Sequence, residues 1–370
     1  MSESFDIAIV GSGIAGSALA CALIAKASPT TPLRIALIES QPLTQDLPAC
    51  DDDINGFDSR VSALTVASQA LLTDIGVWPA IAEQRISPFE KMQVWDAEGT
   101  GEVSFDAADV RAPVLGHIVE NRVTVAALVN QLKQSPNIHV FDGRSVAHLR
   151  LPEKLTDEKP QLDLDDGTVI SSTLIVAADG AHSPLRDMAG LLVREWDYEH
   201  DALVCTVSVE QPHQKTAWQR FTSHGPLAFL PLMATADDKN YCSIVWSQTP
   251  EQAAAAMAMD DNAFCATLGR VFEHRLGKVL SCSPRYSFPL RQRHAVDYVK
   301  PGFALIADAA HSIHPLAGQG INLGLADVKV LSECIQSIID QSHSDLEIIL
   351  CNNYSDNGTE HLINNFAKLD

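Results

Sequence analysis

The sequence is poor in positive charge. Its 370 residues carry 26 lysines and arginines against 47 aspartates and glutamates, a formal net charge of −21. Nucleic-acid phosphates and anionic headgroups repel such a surface, so no nucleic-acid partner and no charge-driven docking on a membrane are expected. Long apolar runs are missing as well. The longest helical one, Ile14 to Ala25, falls short of the roughly 20 residues that span a bilayer, and Glu3 and Asp6 precede the first basic residue, Lys26, which is the wrong charge order for a signal peptide. Membrane contact is therefore expected only from the side. The 8 cysteines include no C-x-x-C pair and read as reduced, mostly buried thiols of a cytoplasmic protein. Metal-ligand spacing is absent too: His311 and His314 lie three apart with no third ligand placed near them. With 46 % apolar and 20 % charged residues, the chain should form one large or two interlocked domains around a substantial core.

What is present is glycine at special places. Phe5 to Val10 is a β-rich apolar run, followed at once by Gly11-Ser12-Gly13-Ile14-Ala15-Gly16, a small-residue helix to about Ala27, and a second apolar run, Arg34 to Ile38, that ends in Glu39. Strand, glycine turn, helix, strand and acid make a dinucleotide fold. Gly11 makes the turn, Gly13 lets the backbone approach a pyrophosphate, Gly16 permits close helix packing and Glu39 accepts from a ribose. The motif alone does not separate NAD from FAD. No second G-x-G-x-x-G follows, so no dedicated nicotinamide domain is expected.

Two further stretches have the same strand, acid and turn form. Thr173 to Ala178 is a buried strand ending in Asp179-Gly180, with Ser183 placed to cap a helix that begins at Pro184. Leu305-Ile306-Ala307 ends in Asp308, and Ile321, Leu325, Val328 and Leu331 have helical spacing. Between them the turn Pro315 to Gly320 aims backbone N–H groups and a helix dipole at one spot. Each stretch alone also reads as an ordinary capped turn; three in one order do not.

This set of motifs resembles the flavoprotein aromatic hydroxylases, most closely their ubiquinone-biosynthesis branch, where Gly-Asp and His-Pro-x-x-Gly-Gln-Gly recur. The resemblance covers most of the chain. It implies FAD, with the glycine loop including Ala15 on the pyrophosphate, Asp308 on the ribityl chain, and Pro315, Gly318, Gln319, Gly320, Ile321 and Asn322 around the flavin ring. Arg60 and Arg122 would sit beside FAD, the latter near its pyrophosphate, and the Val146 backbone would meet adenine. Asp179 and Gly180 would link the FAD site to the region NAD(P)H approaches. Read without the resemblance, Arg60 and Arg122 are solvated residues near helix starts. Where the family usually has Gly before the ribityl Asp, this chain has Ala307.

The implied fold is α/β, a Rossmann-like FAD-binding domain interleaved with an antiparallel-sheet substrate domain, as in para-hydroxybenzoate hydroxylase. FAD binding is expected in residues 1–90, 107–190 and 291–340, and substrate binding in 91–106 and 191–290. The hairpin Met92–Trp95/Val103–Phe105 and the strands Ala202–Val209, Trp218–Thr222, Leu227–Leu232 and Tyr241–Trp246 would form the substrate sheet, with a helix from about Asp260 to Leu276 beside it. Phe229, Leu230, Pro231 and Leu232 would offer an apolar face for a prenylated phenol, or plain core. Residues 341–370 read as a truncated helical tail, because Tyr354 is followed by Gly358 where the family commonly has Arg.

Molecular oxygen reacts poorly with closed-shell phenols, so a cofactor must carry that step. The resemblance implies a flavin C4a-hydroperoxide, NAD(P)H as transient reductant and molecular oxygen as co-substrate. The middle region is similar to the branch members that hydroxylate 2-polyprenyl-6-methoxyphenol para to the oxygen function. Hydroxylation at a neighbouring ring carbon is the runner-up. An FAD-dependent reductase of the same fold and a non-enzymatic FAD scaffold remain open; a halogenase is disfavoured by the missing Trp-x-Trp-x-Ile-Pro. No catalytic side chain is assigned. Membership of a ubiquinone-biosynthesis complex, peripheral contact with the inner membrane and the oligomeric state stay open.

Overall fold

A computed structural model describes residues 2–26, 32–43, 53–154, 158–235, 239–314 and 319–340. Its described strands form three sheets. The first is built on parallel strands in the order Phe303–Leu305, Val169–Ala177, Ser2–Val10, Ile35–Glu39 and Ile138–Asp142. These strands are near-continuous apolar runs because both faces are covered. Helices Ile14–Lys26, Asn121–Lys133 and Gln319–Ile339 pack on one face. The antiparallel strands Val146–Arg150 and Gln161–Leu164 and the short helix Pro184–Met188 cover the other. The alanine-rich first helix buries every residue from Ile14 to Leu23, and its small side chains let it lie close to the sheet.

The second sheet has nine strands and takes its long members from Val193–Val209, Thr216–Thr222, Gly225–Leu232, Tyr241–Gln248 and Tyr286–Ala295. The hairpin Lys91–Asp96/Glu102–Asp106 extends it, through parallel pairing with Thr216–Thr222. Helices Pro250–Ala258 and Asp261–Val271 close one face over Leu203, Phe229, Ile244 and Trp246. A small third sheet, Val61–Thr65, Gly116–Glu120 and Ser87–Phe89, lies towards the other face, where Leu230 and Leu232 meet Ala63, Phe89 and Ile118.

Several elements depart from expectation. Strand alternation divides the stretch 229–232: Phe229 turns into the helix-covered core, stacked 3.7 Å from Phe272, while Leu230 and Leu232 face the third sheet. It is therefore no single apolar face. The strand expected from Ala202 begins at Val193; its charged first half pairs with Tyr286–Ala295 across an irregularity near Glu199, whose φ is +53°. The helix expected to reach Leu276 stops at Val271, before two left-handed residues, Glu273 and His274. An unforeseen helix, Pro250–Ala258, is capped by Thr249, whose hydroxyl accepts from the Gln252 N–H. Among the described residues no helix is long and apolar enough to cross a membrane.

Candidate functional site

Four strand ends lie level. Val10 pairs with both Ala177 and Ile38, and Ala177 pairs with Leu305. The chain therefore leaves the sheet at one edge as Gly11, Ala178–Asp179, Ile306–Asp308 and Glu39. Open α/β sheets bind ligands in the crevice at this edge.

The glycines there do different things. Gly11 has φ +100°, and a Cβ on it would lie 2.4 Å from the Ala178 carbonyl oxygen. A Cβ on Gly16 would lie 1.9 Å from the Gly11 oxygen, so only glycine allows the helix to start so close to the loop. Gly13, Gly180 and Gly320 have nothing within 4 Å of where a Cβ would stand, and so face open space. Ala15 is buried beside Ala307 and Gly324. The helix behind the loop has no acid in its own first turn.

Glu39 closes one side. Its Oε2 accepts from the Ser12 N–H at 2.7 Å and hydroxyl at 2.8 Å, and its Oε1 from the Gln41 N–H at 3.0 Å. Burial alone would raise this carboxyl, but the donors from Gln41, Ser12 and Ser40 hold it below its ordinary value. Val146 opens the strand beside it, where the Arg144 N–H donates to the Glu39 carbonyl at 2.9 Å.

The other two acids are less compensated. Asp179 Oδ2 accepts from the Leu185 N–H at 3.1 Å, whereas its Oδ1 is buried with no partner among the described residues. Burial pushes this carboxyl up. Asp308 is open to solvent by area, yet the walls of the crevice desolvate it enough to raise its carboxyl, against the opposing charges of His311 and Arg60. Ser183 caps the helix after Asp179 through the Arg186 N–H at 3.0 Å. The buried Arg186 side chain then donates to the carbonyls of Ala181 (3.2 Å) and Ala309 (3.1 Å), tying one acid turn to the other.

Ala307 has φ +53°, a region glycine tolerates and alanine does not favour. Its N–H donates to Asp327 Oδ2 at 2.8 Å, and His311 Nε2 lies 2.7 Å from the same oxygen. The sequence reading missed Asp327 and the bridging role of Arg186. An acid about two turns inside the helix after the His311 turn was the available signal for the first; nothing local marks the second.

Of the remaining predicted residues, Arg60 is exposed, its charge near Asp308 and its carbonyl accepting from the Asn121 N–H at 3.0 Å. Arg122 turns its guanidinium onto Glu120 at 2.7 Å and the Gly56 carbonyl at 2.5 Å. Arg85 grips the same buried carboxylate at 2.7 Å, and the Asp58 N–H donates to it, also at 2.7 Å. Asn322 is committed through its side chain, accepting from the Thr65 N–H (3.0 Å) and Ser68 hydroxyl (2.7 Å) and donating to the Ala63 carbonyl (2.8 Å). Its backbone is what remains for a ligand. Gln319 and Gly320 begin the last helix, and Ile321 packs on the core. Pro315 and Gly318 lie outside the described residues, as do Tyr354 and Gly358.

The crevice suits FAD on its own evidence. Glycines with clear space in front would admit a diphosphate against a helix N-terminus, and an orphaned Asp179 oxygen waits for a donor. On the strand Tyr241–Gln248 of the second sheet the buried Ser243 and Ser247 alternate with the core residues Cys242, Ile244 and Trp246. The rings of His314 and Tyr198 meet 4.9 Å apart.

A family model described as an FAD binding domain matches residues 4–347. The 3-demethoxyubiquinol 3-hydroxylase of Escherichia coli (strain K12) is 38 % identical over 335 residues, covering 89 % of this chain and 79 % of its own. The mitochondrial ubiquinone biosynthesis monooxygenase COQ6 of Xenopus tropicalis is 33 % identical over 367 residues, covering 89 % and 76 %. Among solved structures, P. aeruginosa PqsL in complex with 2-aminobenzoylacetate superposes with a TM-score of 0.73 at 19 % identity, covering 92 % of this chain and 89 % of its own, a likeness of fold.

Proposed function

The chain belongs to the FAD-binding-domain family of flavoprotein monooxygenases, and from that premise we propose that it hydroxylates the aromatic ring of a polyprenylated phenol in ubiquinone biosynthesis. The carrying observation is the level edge of the first sheet, where the glycine loop, Asp179 and Asp308 leave their strands side by side. FAD bound there, reduced by NAD(P)H, supplies the activated oxygen that no side chain can.

The protein's own part is to hold, aim and keep dry. Residues 1–90, 107–190 and 291–340 are assigned to FAD. The loop Gly11 to Gly16 would take the pyrophosphate and Glu39 the adenosine ribose, with Asp308 for the ribityl hydroxyls. Residues 91–106 and 191–290 are assigned to the lipophilic substrate, whose ring would lie between the flavin turn and the strand face of Ser243 and Ser247. Such a substrate resides in membranes, so peripheral contact is part of the proposal.

The motifs favour oxygen insertion para to the ring's oxygen function, as on 2-polyprenyl-6-methoxyphenol. A second reading, insertion at a neighbouring carbon, is favoured by the 38 % identity to a 3-demethoxyubiquinol 3-hydroxylase. Quinone intermediates in cells lacking the protein decide. An accumulated prenylated phenol is expected, its missing oxygen naming the ring carbon. A normal quinone pool with no such phenol would overturn the assignment.

A further inference from the structure

The reaction needs a base that the family motifs do not name. A ring attacked by an electrophilic oxygen reacts faster as phenolate than as phenol, because the charged oxygen feeds density into the ring. Free phenols ionise near pH 10, so roughly one in a thousand is ionised at neutral pH. A general base beside the hydroxyl contributes on the order of 10²–10⁴ in rate.

Several polar groups near the crevice are already occupied. His311 Nε2 is held by Asp327, and Asp179 and Asp308 line the cofactor edge. His117, whose Nδ1 is also buried with no partner among the described residues, packs against Trp78 at 5.1 Å, beside the helical layer. His314 is placed differently. It follows the strand His311–Ser312, which pairs with Arg293 and His294 of the second sheet, and it precedes the helix Gln319–Ile339 of the first. It thus stands where the cofactor wall and the substrate wall join.

Its surroundings are specific. The Tyr198 ring meets it edge-on at 4.9 Å and 82°, and is fixed by its own hydroxyl, which donates to Gln292 Oε1 at 2.9 Å. His200, two residues along the same strand, has its Nδ1 3.0 Å from the Ser247 hydroxyl. Gly225 keeps this corner tight: a Cβ there would lie 3.3 Å from His200 Cε1. Among the described residues, the titratable groups that act on His314 are Tyr198, by ring contact, and His200, by charge, the first held by Gln292 and the second by Ser247. His314 Nδ1 itself is buried and has no partner among the described residues.

We propose that His314 accepts the proton of the substrate's ring hydroxyl through this Nδ1, and that His200, anchored on Ser247, sets its basicity. The inference rests on the phenol reading above. In the step, the phenol O–H bond breaks, an N–H bond forms at Nδ1, and the electron pair stays on the phenolate oxygen. Burial, then the charge of His200, keeps His314 below the ordinary histidine value, so the ring is neutral and able to accept at neutral pH.

The test is a spectroscopic titration of the FAD-loaded enzyme with a short-chain prenylated phenol, without NAD(P)H, reading the phenolate band of the bound ligand against pH. In the unchanged protein the bound phenol should ionise at a lower pH than the free one. In H314N, which keeps a similar shape without the basic nitrogen, ionisation should return towards the free value. Hydroxylation per flavin reduced should fall at least tenfold at neutral pH and recover as pH rises. The same ionisation curve in both proteins would overturn the proposal. Should H314N not retain FAD, H314Q decides on the same readout: its bound phenol should likewise ionise near the free value, and a curve matching the unchanged protein would overturn the proposal. An unchanged protein that neither binds nor hydroxylates the phenol would instead defeat the function proposed above.

Discussion

Gly324 stands opposite Ala307, and its missing side chain makes room for that residue's methyl group: a Cβ on Gly324 would lie 2.9 Å from the Cβ of Ala307. The left-handed backbone at 307, which suits the glycine usual in the family, is here occupied by alanine. A left-handed L-residue costs about 1–2 kcal/mol, partly offset by the unfolded-state entropy that glycine adds. A307G is expected to leave the protein equally stable or up to ~1 kcal/mol more so. G324A should cost about 1–3 kcal/mol by overpacking. Combining them should recover most of that loss, because the colliding methyl is gone. Urea unfolding of the four proteins measures this, and additive effects would refute the contact.

Asp179 carries a burden at neutral pH. Its folded carboxyl is raised by burial, so the folded state binds the proton more readily and stability falls as pH climbs from the ordinary carboxyl value through the folded one. D179N keeps an oxygen for the Leu185 N–H and removes the buried charge. The variant without FAD should be about 1 kcal/mol more stable at pH 7, with the advantage shrinking near pH 4. Denaturant midpoints at the two pH values test it, and a variant less stable at pH 7 would contradict it.

Glu39 should behave with the opposite sign. Its carboxyl is held low by the Ser12 and Gln41 donors, so its stabilisation is present above the ordinary value and lost as pH falls through the folded one. E39Q is expected to cost about 1 kcal/mol at pH 7 and little in strong acid. FAD retention on a desalting column should fall as well.

Glu120 is the costly position. It is 2 % exposed and serves Arg85, Arg122 and the Asp58 N–H together. E120A would leave Arg85 buried without its carboxylate, at a cost of about 3–5 kcal/mol. R122A, at a side chain 37 % exposed, should cost roughly 1 kcal/mol or less. Thermal unfolding of the two variants should rank them in that order.

The parts of the site that could be read from sequence are those where backbone geometry restricts residue type. Gly11 and Gly16 have no room for a Cβ, and Ser183 with Pro184 marks a helix start by its own chemistry. Long-range side-chain pairing left no such mark. Arg122, which the resemblance places near the pyrophosphate, also turns its guanidinium to the Gly56 carbonyl, 66 residues away in the sequence, a partner that only the fold supplies. The same holds for Arg186, whose carbonyl partner Ala309 is 123 residues away. The first half of the strand Val193–Val209 was hidden because it is acidic and exposed, its pairing stabilised by arginines of another strand such as Arg293 on Glu195. The helix Pro250–Ala258 was announced by Thr249-Pro250-Glu251, a start signal that went unread.

The short strand His311–Ser312 follows Asp308 by three residues, yet belongs to the other sheet. An acid at the end of one sheet and a ladder of the other are thus sewn together by a short stitch of backbone. Prising the two sheets apart like a clamshell would unpick that seam.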